Sequence, residues 1–139
     1  MNGNGFITWL LNSPFHGVLS NGMMLITVTG RKTGKRYTTP VGYFRQNGNL
    51  WVLTSRNRTW WKNVQAGAQV SLLLQRQPVA AFAEAELDPN AVECLLRAYV
   101  QQIPPSAKSM GIRVENGMAN QDDVARIAKE RLFVKVKPT

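Results

Sequence analysis

The sequence predicts an α+β domain built on an antiparallel β-barrel of about six strands, with an N-terminal, a middle and a C-terminal helix. Three observations carry this. Short β-rich runs follow one another with hairpin punctuation between them, each too short to be the strand of a large parallel sheet. Only a few short segments read as helices. The length of 139 residues suits one compact domain spanning residues 1–139, with 44% hydrophobic and 18% charged residues.

Along the chain, residues 1–20 read as an N-terminal helical segment, apolar over Phe6–Leu11 and bent or ended near Pro14. Met1 to Gly30 holds no charge, yet polar residues from Asn12 to Gly22 interrupt it. A spanning helix needs about 20 predominantly apolar residues, so a helix packed on the domain is favoured, with peripheral membrane contact through Phe6, Trp9 and Leu10 as the alternative. No basic leader with a small-residue cleavage site precedes it, and one cysteine fits a reducing compartment; a cytoplasmic location is expected.

Met23–Thr29 (MMLITVT) is the first strand and GRKTGK (30–35) a polar connection. Tyr37–Arg45 is the second strand, where Pro40 and Gly42 suggest an edge or a bulge. Asn47-Gly48 marks a tight hairpin into the third strand, Leu50–Thr54. Trp60–Ala66 reads as a short helix stopped by Gly67. Val70–Gln75 and Val79–Leu87 form a pair around Arg76-Gln77-Pro78. Asp88 caps a helix with Pro89 in its first turn. Residues 103–120, with two prolines, two glycines and two methionines, read as a mobile loop and a candidate lid. Asp122–Lys129 is a short helix and Arg131–Lys137 the last strand.

Charge narrows the function. Formal net charge is +9, and no acid precedes Glu84 while nine bases do; residues 84–139 hold eight of each. The surplus therefore belongs to the first 83 residues and points to an anionic partner. With one histidine (His16) and one cysteine (Cys94), the chain cannot assemble a zinc site or a convincing nucleophile relay. Redox chemistry here would reside in a bound cofactor.

Three segments carry candidate chemistry. Arg31, Lys32, Lys35 and Arg36 concentrate four cations in one strand connection, whose glycines let backbone N–H groups approach a phosphate. The spacing is not that of a P-loop, and a solvated hairpin tip is the bland reading. Thr54-Ser55-Arg56-Asn57-Arg58 lies beyond the third strand, a favoured place for ligands. Two such clusters without an acid nearby are unusual for mere solubility. Trp60-Trp61-Lys62-Asn63 offers one indole to the core and one to a ligand ring, although core packing alone is the commoner role.

In this order (apolar strand, G-R-K-T-G-K, T-T-P-V, Asn-Gly hairpin, T-S-R, W-W-K-N-V) the chain resembles the deazaflavin-dependent nitroreductase and quinone-reductase family of split β-barrels related to flavin-binding proteins. The resemblance covers nearly the whole chain and is most specific from Gly30 to Val64. It implies binding of coenzyme F-420, whose phosphate and polyglutamate tail are anionic, and hydride transfer from its reduced form to a small electron-poor acceptor such as a quinone, an enone or a nitro compound. It places Arg31 and Lys32 at the phosphate and tail. Thr39, Pro40 and Val41 would line the ring edge, with Thr54, Ser55 and Arg56 following, and Trp60 and Asn63 at the phosphate-proximal part. The family often has Arg where Tyr37 stands, so Tyr37 or its neighbour Arg36 would serve the phosphate, beside Lys35. The acceptor-side tyrosine of some members is replaced by Gly42, and Pro104–Met110 lacks the late-loop tyrosines of nitro-reducing members. Ser55 and Tyr43 are the candidate proton donors, solvent being the alternative. FMN, with a single phosphate, is the alternative cofactor. No metal and no nucleic acid are expected. Aromatics such as Trp51, Tyr43 and Phe44 lie in strand interiors and cations in loops, unlike a stacking reader of nucleic acid. A silent carrier of a lipid or tetrapyrrole is the remaining rival. Monomer and homodimer stay open.

Overall fold

A computed structural model describes residues 22–139; the expected N-terminal helical segment lies outside them. The strands are β1 (Met23–Thr29), β2 (Arg36–Gln46), β3 (Asn49–Ser55), β4 (Ala68–Leu74), β5 (Gln77–Glu86), the two-residue β6 (Val114–Glu115) and β7 (Met118–Ala119), and β8 (Arg131–Pro138). The helices are α1 (Pro89–Gln102), α2 (Pro105–Met110) and α3 (Gln121–Glu130), and a 3-10 turn spans Trp60–Val64. Six strands close into an antiparallel barrel in the order β1-β2-β3-β8-β5-β4, and β6 pairs only with β7. Closure removes every free edge from the sheet.

Alternation along each strand sorts side chains between an inner core and an outer face. In β3, Leu50, Val52 and Thr54 are buried while Trp51, Leu53 and Ser55 between them are partly exposed. Met24, Ile26, Val52, Leu72, Val134 and their neighbours fill the barrel. The 3-10 turn packs against β1, β4 and β5, adding Trp60 and Trp61 to that core. Outside, the apolar faces of α1 and α3 cover Phe44 and Phe133. Phe44, Tyr99 and Phe133 form a tilted aromatic trio with centroids 5.3, 5.7 and 6.3 Å apart.

Local chemistry sets the boundaries. Asn47 and Gly48 both have positive φ, as the Asn-Gly signal requires. The β4–β5 turn falls on Gln75 and Arg76 (φ +49° and +68°), one residue earlier than the sequence suggests: the two-residue hairpin turn imposes positive φ on both, although neither is a residue type that favours it. Asp88 caps α1 through Asn90 N–H and Asn120 caps α3 through Asp123 N–H.

Residues 103–120 are not the loop expected from the sequence. Pro104 and Pro105 start α2, Gly111 ends it in the left-handed region, and Asn116-Gly117 turns β6 into β7. Ser106, Ala107, Met110 and Ile112 are buried in the outer core. A segment anchored by those contacts is structural packing, and Met110 is not an acceptor-facing lid residue.

Candidate functional site

Two adjoining depressions open beside the ends of β1, β2 and β3, and Trp60 is in the wall of both. The first, about 480 Å³, lies between the β1–β2 connection and the 3-10 turn, and its walls include Arg31, Lys32, Tyr37, Lys62 and Asn63. The second, about 290 Å³, is walled by Pro40, Val41, Gly42, Leu53, Thr54, Ser55, Arg58 and Arg131. No acid lines either one.

The β1–β2 connection is held in shape from within. Gly30 N–H donates to Lys35 O (2.7 Å), Gly34 N–H to Gly30 O (2.8 Å) and Lys35 N–H to Thr33 Oγ1 (3.2 Å). A Cβ on Gly30 would stand 2.8 Å from the Tyr37 ring and 2.9 Å from Thr33 Oγ1, so a side chain there would have to push both aside. Asn63 clamps it to the 3-10 turn: its Oδ1 accepts from Arg31 N–H (3.1 Å) and its Nδ2 donates to Trp60 O (3.2 Å). Four of the six amides from Gly30 to Lys35 thus donate inside the protein. The backbone cradle expected from the glycines is largely spent on the loop itself; the exposed cationic side chains are what an anion would meet.

Trp60 Nε1 donates to the buried Thr54 Oγ1 at 3.1 Å, which fixes the indole between the two depressions. Trp61 is buried in the barrel core with no hydrogen-bond partner for its Nε1 among the described residues, and Lys62 Nζ stands 5.8 Å from its ring centroid. Of the paired indoles, Trp60 is the one in position for a ligand.

Of the residues singled out from the sequence, Arg31, Lys32, Tyr37, Trp60 and Asn63 gather in the first depression, and Pro40, Val41, Thr54, Ser55 and again Trp60 in the second. Lys35, Arg36, Thr39, Tyr43 and Arg56 line neither. Arg36 donates to Ser71 Oγ (3.3 Å) on β4. Tyr43 is buried in the barrel core, on the inner face, which removes it as a proton donor to a bound acceptor. Arg56 needs the clearest correction. Its Nε donates to Arg131 O and its Nη2 to both Leu87 O and Ala128 O, each at 3.0 Å. The guanidinium closes off carbonyls where β5, α3 and β8 meet, so it is a structural fastener.

Sequence reasoning missed Arg131 as a wall residue of the second depression. β8 pairs with β3 so that Ser55 lies opposite Arg131, a register that only the closed barrel reveals. Thr59 and Lys62, beside the Trp pair, also line the first depression; Lys62 belongs to the Trp60–Asn63 segment singled out from the sequence, and Thr59 carries no signal of its own.

Among the described residues no group of three or more His, Cys, Asp or Glu could hold a metal ion, and no helix is long and apolar enough to cross a membrane.

The closed barrel with its basic, acid-free site defines a split-barrel protein suited to an anionic ligand. Residues 12–126 match the family model of F420H(2)-dependent quinone reductases, and the chain belongs to that family, whose cofactor is coenzyme F-420. No curated protein matches the chain. Among solved structures the fold is similar to an F420-H2 dependent reductase (FDR-A; 18% identity, TM-score 0.51, 83% of this chain and 94% of that one). It is also similar to the general stress FMN/FAD binding protein of Xanthomonas citri (13%, TM-score 0.54, 87% and 78%). A third similar structure is a domain-swapped dimer (19%, TM-score 0.56, 96% and 95%).

The residues present fit such a cofactor. An anionic tail asks for cations without competing carboxylates, and Arg31, Lys32 and Lys62 meet that demand on one wall. A ring system asks for a flat, partly apolar surface, and the Trp60, Pro40, Val41 and Leu53 side supplies it.

Proposed function

We propose that the protein reduces a small electron-poor acceptor, a quinone, an enone or a nitro compound, with reduced coenzyme F-420. The observation that carries this reading is the division of one site by Trp60 into a basic depression, walled by Arg31, Lys32 and Lys62, and a smaller one where Pro40, Val41 and Leu53 stand beside Thr54, Ser55, Arg58 and Arg131. When bound, the reduced deazaflavin supplies a hydride. The protein's part is to bind and orient. Arg31, Lys32 and Lys62 hold phosphate and carboxylates, Asn63 keeps the basic loop against the 3-10 turn, and Trp60 separates the ionic subsite from the reacting one. Ser55, half-buried at the end of β3, is the hydroxyl of the original candidates that still faces the second depression.

Three cations on one wall exceed what the single phosphate of FMN requires, which favours the deazaflavin. Parallel titrations of the purified protein with coenzyme F-420 and with FMN test this. Tighter binding of F-420 is expected, weakening as salt rises; preferential binding of FMN would overturn the assignment.

A further inference from the structure

The second depression has a gap in its wall. Gly42 stands there, opposite Leu53 in the β2–β3 register and opposite Met23 on β1. A Cβ built on Gly42 would meet the Tyr99 hydroxyl at 3.7 Å and Met23 Sδ at 3.6 Å. Tyr99 belongs to α1 and is not itself in the wall of either depression; its hydroxyl stands over the wall residue Gly42. Its ring is held edge-on and tilted by Phe44 and Phe133. A ring locked on those sides can direct its hydroxyl only along its own long axis, toward the glycine.

That hydroxyl has no hydrogen-bond partner among the described residues, nor is it a buried orphan. A phenol lodged against apolar rings with its oxygen left free is a donor in waiting. Partial burial raises its pKa while nearby Arg131 acts the other way, so the group remains a neutral O–H at physiological pH. Arg131 and Ser55 face each other across β3 and β8 in the same depression, over the apolar Leu53 and Pro40. A wall that sets O–H and N–H donors beside a few apolar side chains suits a flat molecule that carries a carbonyl oxygen.

We propose that the Tyr99 hydroxyl, presented through the gap left by Gly42, donates a hydrogen bond to a carbonyl oxygen of the acceptor and so selects acceptors that carry one. This rests on the oxidoreductase reading above and adds to it a specificity residue from α1. The hydrogen bond strengthens as negative charge builds on that oxygen during reduction. No proton need leave Tyr99.

Tyr99→Phe keeps the ring and removes only the oxygen. With menadione as the probe, direct binding to the cofactor-free protein, read by tryptophan fluorescence, is expected to weaken about 3- to 10-fold. The KM for menadione should rise by a similar factor with F-420 as donor, while the dissociation constant for F-420 and the melting temperature stay as in the parent. Gly42→Val, which fills the gap and leaves Tyr99 in place, should reproduce the menadione loss. Unchanged menadione affinity and KM in Tyr99→Phe would overturn the proposal. A parent protein that binds menadione but not F-420 would refute the oxidoreductase reading instead, and the direct binding comparison would still decide Tyr99.

Discussion

Arginines in two parts of this molecule meet opposite fates. In the distal half they find acids: Arg97 with Glu93 at 3.4 Å, and Arg113 and Arg126 with Asp123 at 2.9 and 3.8 Å. On the β1–β2 connection, Arg31, Lys32 and Lys35 have no ion pair among the described residues, and the wall that Arg31 and Lys32 share with Lys62 holds no acid. Compensated charge serves folding, whereas uncompensated charge held on a stiffened loop is repelled by its neighbours and is relieved by an anion from outside. Arg56 shows that position, and not mere lack of an acid, decides. It lies in the same acid-free stretch, yet it is satisfied by three carbonyls.

The contrast breaks most visibly at Arg56. Arg56→Ala would leave carbonyls of Leu87, Ala128 and Arg131 without a charged donor at a junction of three elements. The expected cost is about 2–4 kcal/mol of stability, read as a drop in urea midpoint, with F-420 affinity per folded molecule unchanged. A stable variant with weakened cofactor binding would return Arg56 to the site.

Arg31→Ala/Lys32→Ala tests the other side of the comparison. Removing two exposed, charge-assisted donors should weaken F-420 binding by about 2–3 kcal/mol, roughly 30- to 150-fold. Relief of mutual repulsion should leave the melting temperature equal or slightly higher. If affinity holds while stability falls, the basic loop is architecture and the cofactor sits elsewhere.

Asn63→Ala lies between these extremes, because Asn63 touches the loop and the turn but carries no charge. Loss of its bonds to Arg31 N–H and Trp60 O should loosen the cation array and cost about 1 kcal/mol of F-420 affinity, a several-fold effect in the same titration. An effect as large as that of the double variant would show Asn63 touching the cofactor itself.

Much of this was legible from sequence where the cause is local. β1, β2, β3 and β8 follow from alternation, and Asn47-Gly48 from turn chemistry. The miss at 103–120 was a failure to apply the same rules twice: proline pair at a helix start, glycine at its end, a second Asn-Gly hairpin at 116–117. The family resemblance, and not residue types, put Arg31, Lys32, Trp60 and Asn63 at one end of a ligand, and the four share one wall in the structure. Residue types could not separate Arg56 from Arg31, because the carbonyls that occupy Arg56 come from residues 31 to 75 positions away. Tyr99 and Arg131 were hidden for the same reason: one comes from α1 and the other from barrel closure.

The mildest test concerns the compensated side. Asp123 accepts from Arg113 N–H and Nε at 2.9 Å and from Arg113 Nη2 at 3.2 Å. These hydrogen bonds, helped by Arg126, lower its pKa from 3.8 to about 2. A carboxyl whose folded pKa is depressed holds its protons more weakly than in the unfolded chain. Its contribution is therefore complete above pH 3.8 and is lost as pH falls from there through about 2. Urea unfolding of Asp123→Asn should show a flatter pH dependence in that window, by up to one proton. At neutral pH its F-420 affinity should match the parent, since Asp123 lines neither depression. Equal slopes in the two proteins would mean that the Arg113–Asp123 clasp is no tighter in the fold than out of it, and that the two halves differ less in how they use charge than their geometry indicates.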